Sequence, residues 1–319
     1  MMRVGQNPAK FVKEVAKPER ITVAVLNYIP FISGFYMEML EVLRTCLYSI
    51  RETADLPFDL LVFDNGSCQE ARRFLLDEYE RGAIQYLFLS ERNLGKGGAW
   101  NIIFSGAPGD VLVYTDNDCL FYQGWMSCSL QILETYPNVG MVTARPFRTN
   151  PEFYSATVKW AESDPDVQLD RGNFIPWEVF FEFDRSLGQT EEEIRAHYES
   201  SEDIRLIYRG VLAIAGASHW QFMARKEVLQ SFLPFNMNRP MGQVRELDRR
   251  MNEAGYLRLM PPDPLAMNMS NTLRSLPGKS KAVSGQPAKP ARSGLLDFPP
   301  VKRSLLWIYD TIFRWYYDR

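Results

Sequence analysis

The sequence predicts an α/β fold built on a largely parallel sheet, and two observations carry that expectation. Short runs at residues 21–26, 60–63, 84–89 and 111–114 are apolar at nearly every position, and the first and last are rich in β-branched residues. Such runs suit strands covered on both faces. Between them lie longer stretches with helical spacing, so strand and helix alternate, which requires crossover connections and parallel pairing. In sheets of this kind ligands bind beyond the carboxyl ends of the strands.

Taken in order, residues 1–19 form a polar leader with no apolar core, unlike a signal peptide. The first strand ends at Asn27-Tyr28. Met39, Leu40, Leu43, Leu47 and Ile50 then recur at helical steps within residues 36–53, and Pro57 stops that helix. The second strand ends in Asp64-Asn65-Gly66-Ser67 and is followed by a charged helix reaching Glu80. After the third strand comes a polar, glycine-rich turn, Asn93-Leu94-Gly95-Lys96-Gly97-Gly98, and then a helix containing Asn101. The fourth strand delivers Asp116-Asn117-Asp118. Carboxylates are seldom buried without a partner, so this pair belongs at the strand's exit. Side chains two apart on extended backbone share a direction, and two hard oxygen donors suit Mg²⁺ or Mn²⁺, with substrate phosphates completing the shell. A solvated turn is the alternative for these three residues, since Asp and Asn favour turns.

Composition narrows the function. With 46% hydrophobic and 24% charged residues in 319, the chain has an ordinary globular balance. A net charge of −3 excludes a nucleic-acid binder that relies on a basic field. Two histidines exclude a His-rich zinc centre. The four cysteines lack CxxC spacing, and free thiols in a reducing cytosol are expected. No apolar run approaches the ~18 residues of a membrane span. The first strand is not followed by GxGxxG, and Gly95-Lys96-Gly97 lacks the other glycine and the Ser or Thr of a P-loop. The glycines can still turn backbone N–H groups toward a phosphate, with Lys96 adding charge.

Four blocks together, residues 21–27, 58–67, 93–95 with Asn101, and 116–118, resemble a family 2 glycosyltransferase of GT-A fold, over roughly residues 20–145. The resemblance implies a Rossmann-like, mostly parallel central sheet flanked by helices. It also implies a nucleotide-diphosphate sugar donor, a divalent cation (Mn²⁺ or Mg²⁺) and inverting transfer. Carried over block by block, Asn27 and Asp64 line the nucleoside pocket; Asn93 and Lys96, in the glycine-rich turn, are further candidates for binding the donor. Asp116 and Asp118 match the DxD that joins the metal to the diphosphate.

The second half matches less well. Residues 148–205, aromatic and acidic without clear periodicity, read as an acceptor-side insertion in a domain spanning 20–274. Residues 211–217, followed by Ser218-His219-Trp220, resemble the strand that floors the acceptor site, where His219 and Trp220 contact a sugar or simply pack. Residues 243–256 resemble the family's acidic helix, but Gln243 and Val244 stand where an acidic pair is usual. That leaves Glu246 or Asp248 as the base that deprotonates the acceptor, or else a salt-bridged exposed face. Asn268 stands where relatives often present a metal-binding histidine, so it is the third candidate metal ligand. Residues 275–300 read as a Pro- and Gly-containing linker. In 301–319, Leu305, Ile308, Tyr309, Ile312, Trp315 and Tyr316 share one helical face beside Lys302, Arg303 and Arg314. This C-terminal amphipathic helix rests on a membrane surface, on the catalytic domain or on a second subunit.

The expectation is therefore a cytoplasmic, metal-dependent hexosyltransferase or close relative, acting in polysaccharide biosynthesis, soluble or peripheral on the inner face of the membrane. Its partners are a nucleotide-sugar donor and a glycan or lipid-linked acceptor, not nucleic acid, and a homodimer is left open. A nucleotidyltransferase also uses paired aspartates, but it wants a glycine-rich, arginine-bearing loop where Asn27-Tyr28-Ile29-Pro30 stands. A sugar-nucleotide-binding protein without turnover is the other alternative.

Overall fold

The computed structural model describes residues 5–238 and 242–273. The linker and C-terminal helix expected at 275–300 and 301–319 lie outside the described residues. Strands β1 (Ile21–Asn27), β2 (Asp59–Asn65), β3 (Tyr86–Ser90) and β4 (Val111–Asp116) are separated by helices α1 (Met39–Thr53), α2 (Gln69–Glu80) and α3 (Gly95–Gly106). Then follow β5 (Cys119–Phe121), α4 (Trp125–Thr135), β6 (Val139–Val142), α5 (Ser155–Ser163), β7 (Val167–Gly172), α6 (Trp177–Ser186) and α7 (Glu191–Ser200). The described chain finishes with β8 (Asp203–Tyr208), β9 (Val211–Ala215), β10 (Gln221–Arg225), α8 (Lys226–Gln230), α9 (Gln243–Glu253), β11 (Leu257–Met260) and β12 (Ala266–Asn268).

Ten strands form one sheet in the order β3-β2-β1-β4-β10-β6-β11-β9-β8-β7. The alternating first third of the chain pairs in parallel, as its apolar runs require. Across the sheet β1, β2, β3, β4, β6, β8 and β11 run one way, and β7, β9 and β10 run against them. The sheet is therefore mostly parallel in strand direction, with antiparallel pairs concentrated in its second half. Separately, β12 pairs with β5 and closes over the end of β4.

One face of the sheet is covered by a cluster that joins Ala24, Leu26, Leu61, Phe63 and Tyr114 to Trp100, Ile103 and Phe104 of α3 and to Val244, Leu247 and Met251 of α9. The intervening residues Val23, Val25, Leu60, Val62 and Val113 are equally buried, so water reaches neither face. Burying a side chain such as Leu or Phe contributes about 1.5–3 kcal/mol, and this central layer is the main source of stability. Trp100 and Phe104 stack at 5.4 Å, and Trp100 meets Tyr114 edge-on at 5.4 Å. These rings anchor α3 over the end of β4.

One expectation is corrected. Residues 95–98 are the first turn of α3, not a loop ahead of it. Helix there is compatible with so many glycines because their missing side chains make room for neighbours. A Cβ on Gly97 would stand 2.6 Å from Gln243 Cγ, and one on Gly98 would stand 2.8 Å from Leu94 Cβ. Residues 148–205, read as an insertion, supply β7 and the first half of β8, which extend the main sheet through β9. Their scattered pattern reflects an edge region whose strands are only partly covered.

Gly66 turns the chain after β2 at φ +84°, and a Cβ there would come within 2.8 Å of the Arg92 carbonyl carbon. Gly66→Ala should cost about 1–3 kcal/mol, because the left-handed backbone and the backbone contact are both strained. Urea unfolding should show a lower midpoint with an unchanged slope. A midpoint equal to that of the parent chain would contradict this account of the turn.

Candidate donor and acceptor site

Parallel register sets the site. Asn27 lies opposite Asp64 across β1 and β2, and Leu26 lies opposite Asp116 across β1 and β4. The polar residues ending three adjacent strands therefore meet at one edge. Asn27 is fully buried and spends its whole amide there. Its nitrogen donates to Asp64 Oδ1 at 2.9 Å and to Ser67 Oγ at 3.0 Å, and its oxygen accepts from Asn117 Nδ2 at 2.7 Å. Asp64 Oδ2 accepts from the Ser67 N–H at 3.2 Å, with Arg72 Nε at 3.9 Å. Asn27 thus holds Asp64 and Asn117 in place, while Asp64 is the charged group of this corner.

Asn93 joins the same edge from the loop before α3. Its Oδ1 accepts from Asn65 Nδ2 at 3.0 Å and from the Gly95 N–H at 2.8 Å. The Asn65 oxygen in turn accepts from the Leu94 N–H at 2.8 Å, fixing where α3 begins. From the first turn of α3, Lys96 Nζ reaches Asp116 Oδ2 at 2.8 Å. The Tyr114 hydroxyl donates to Asp116 Oδ1 at 2.6 Å. Burial, followed by the nearby Asp116 charge, pushes the Tyr114 phenol well above its ordinary pKa, so it stays a donor.

Asp118 is treated differently. Asn268 Nδ2 donates to its Oδ2 at 3.3 Å, while the Asn268 oxygen accepts from the Ser270 N–H at 2.7 Å. Loss of surrounding water and then the Asp116 charge push the Asp118 carboxyl up to about 7, against the pull of Lys96. Two close carboxylates with too little countercharge are the donor set that a hard divalent cation relieves. No group of three or more His, Cys, Asp or Glu side chains could hold a metal among the described residues. Asp116 and Asp118 fit such an ion only with diphosphate and water oxygens completing its shell.

The two candidate carboxylates of α9 part company. Glu246 is half-buried and accepts from Arg250 Nη1 at 3.2 Å one turn along the helix. Asp248 is buried: its Oδ1 accepts from Arg258 Nη2 at 2.6 Å, and its Oδ2 meets His219 Nδ1 at 3.1 Å. Arg258 is itself buried, and its donation to Asp248 was invisible in the sequence because β11 supplies it from beyond the helix. Val244 is buried in the core cluster, so it packs and carries no charge to the site. Trp220 is buried near the Phe147 and Phe183 rings at 6.5 and 6.0 Å.

The raised Asp118 pKa fixes a pH dependence. The folded chain holds this proton more tightly than the unfolded chain does. Ionising Asp118 therefore costs stability as pH rises from ~4 to ~7, and a cation bound to the ionised pair offsets that cost. Apparent Mn²⁺ affinity should rise about tenfold between pH 6 and pH 8, because the proton no longer competes. Thermal shift at fixed Mn²⁺ measures it, and a shift independent of pH, or larger at pH 6, would contradict the assignment.

No curated protein matches the chain in a sequence search. Among solved structures, the chain is similar to the mannosyltransferase PcManGT from Pyrobaculum calidifontis in complex with GDP-Man and Mn²⁺. That likeness has 18% identity and a TM-score of 0.47, over 82% of this chain and 59% of the other. It is also similar to GalNAc-T7 with UDP, GalNAc and Mn²⁺, at 15% identity and a TM-score of 0.47, over 79% of this chain and 44% of the other. For S. aureus TarS 1–349 the identity is 12% and the TM-score 0.45, over 78% of this chain and 59% of the other. The chain thus spans less than two thirds of each of these proteins. Residues 31–175 match the family model for glycosyl transferase family 2, the family that the strand-end motifs resemble.

Proposed function

We propose that this protein is a metal-dependent, inverting glycosyltransferase that moves a sugar from a nucleotide-diphosphate donor to an acceptor hydroxyl on a glycan or lipid-linked saccharide. The observation that carries it is the carboxylate pair Asp116 and Asp118, set at the end of β4 beside Asp64 and backed by Lys96. A Mn²⁺ or Mg²⁺ ion bound there supplies charge stabilisation for the leaving diphosphate. Asp116 and Asp118 hold that ion, and Asn268 orients Asp118. Asp64 faces the nucleoside, and the frame of Asn27, Asn65 and Asn93 keeps the pocket's shape. Lys96 adds positive charge at the start of α3, next to where phosphate oxygens would lie.

On the acceptor side, proton transfer belongs to the neighbourhood of α9, whose candidate carboxylates are Glu246 and Asp248. A second reading has one observation in its favour: Gln243 and Val244 open α9 in place of an acidic pair. It makes the protein a sugar-nucleotide binder without turnover. Release of nucleoside diphosphate from a donor panel separates the two readings.

The experiment is a screen of UDP- and GDP-sugars with Mn²⁺, followed by Asp118→Ala. Binding should require the metal, and the substitution should lower turnover by more than ~100-fold, as expected when several kcal/mol of metal-mediated stabilisation are lost. The melting temperature of the metal-free protein should not fall, since removing a strained carboxylate costs the fold little. Undiminished turnover in excess EDTA would overturn the proposal.

A further inference from the structure

We infer that His219 is the general base for the acceptor hydroxyl and that Asp248 acts through it as a positioning residue. The inference rests on the glycosyltransferase reading above and deepens it on the acceptor side, which lies beyond the residues of the family match.

The backbone around His219 is pinned at three points. Arg258 Nη2 donates to the Ala217 carbonyl at 2.7 Å. The Ser218 N–H donates to Thr143 Oγ1 at 2.7 Å, and Thr143 Oγ1 donates back to the Ser218 carbonyl at 3.1 Å. The Trp220 carbonyl accepts from the Asp116 N–H at 2.8 Å. The last bond ties the residue after His219 to the first proposed metal ligand. One residue spans under ~4 Å of backbone, so the His219 backbone lies close to the end of β4 that carries Asp116.

The ring is oriented as well as placed. Asp248 Oδ1 is taken by Arg258, and Oδ2 can only accept, so the Nδ1 proton of His219 points to it. That bond fixes the tautomer with the lone pair on Nε2. Nε2 has no hydrogen-bond partner among the described residues, and the side chain is 32% exposed. A histidine serving only the core would be enclosed with both nitrogens bonded. Asp248 does not need His219 for neutralisation either, because Arg258 already supplies the countercharge at 2.6 Å.

The competing carboxylates are worse placed for the task. Asp248 is buried with both oxygens engaged, and Glu246 is paired to Arg250 on its own helix. In the step assigned here, the acceptor oxygen bonds to the anomeric carbon as its proton passes to His219 Nε2. The bond from the anomeric carbon to the phosphate oxygen breaks with its electron pair going to the diphosphate. Asp248 steadies the imidazolium that results.

The test uses the full chain, Mn²⁺ and the UDP- or GDP-sugar that gives the highest diphosphate release, with water or an added saccharide as acceptor. His219→Ala should lower kcat by roughly 10² to 10⁴ with donor KM within about threefold, and added imidazole should restore part of the rate. Asp248→Asn should lower kcat less and leave donor KM alone. Because that substitution disturbs the buried Arg258, the imidazole rescue of His219→Ala is the deciding measurement. Full activity in His219→Ala, or loss without rescue while Glu246→Gln is equally impaired, overturns the assignment. Nucleotide binding with Mn²⁺ but no turnover of any donor overturns the base while leaving the donor site standing. No metal-dependent nucleotide binding at all overturns the underlying reading.

Discussion

The Asn27 amide is the point on which the site depends. It ends the central strand of the parallel group, is sealed from water, and makes three hydrogen bonds to residues from the ends of the strands on either side. A buried amide left partly unsatisfied costs about 1–3 kcal/mol, so its neighbours are held to one arrangement. Asp64 is kept on one side and Asn117 on the other, and Asn117 lies between the two candidate metal carboxylates. An apolar strand alone would bring these residues to the same sheet edge. The amide network fixes how they face one another.

Around that frame the charges are deliberately unequal. Asp116 is tied down by the Lys96 ammonium and the Tyr114 hydroxyl, both mounted on the aromatic cluster that joins α3 to β4. Asp118 receives one amide hydrogen and little else at its side chain, and its proton affinity rises accordingly. One carboxylate is therefore preorganised, while the other is destabilised until a countercharge arrives. Around α9, Arg258 donates to one oxygen of Asp248 and His219 meets the other, so the buried carboxylate is held from two sides.

Much of this was legible in the sequence, for identifiable reasons. Strands buried on both faces announce themselves as unbroken apolar runs, and the polar residues that end them must lie at the sheet edge, so Asn27, Asp64 and Asp116 could be placed by position alone. The start of α3 was missed because glycine propensity argues against helix, whereas close approach by Gln243, Leu94 and Met237 demands glycine. Asp248 was readable as more than an exposed charge, since it shares the helical face of Val244, Leu247 and Met251. Its role was not readable. Arg258 comes from a later strand and His219 from an earlier one, and pairings across that distance follow from the fold, not from local spacing.

The central claim is that Asp116 and Asp118 form the cation-dependent diphosphate site. Anomalous diffraction from crystals grown with Mn²⁺ and UDP or GDP tests it most directly. The account predicts one manganese peak bridging the Asp118 carboxylate and the diphosphate oxygens at the end of β4, with Asp116 beside it and the nucleoside against Asp64. A nucleotide bound elsewhere, or manganese seated away from both carboxylates, would contradict it.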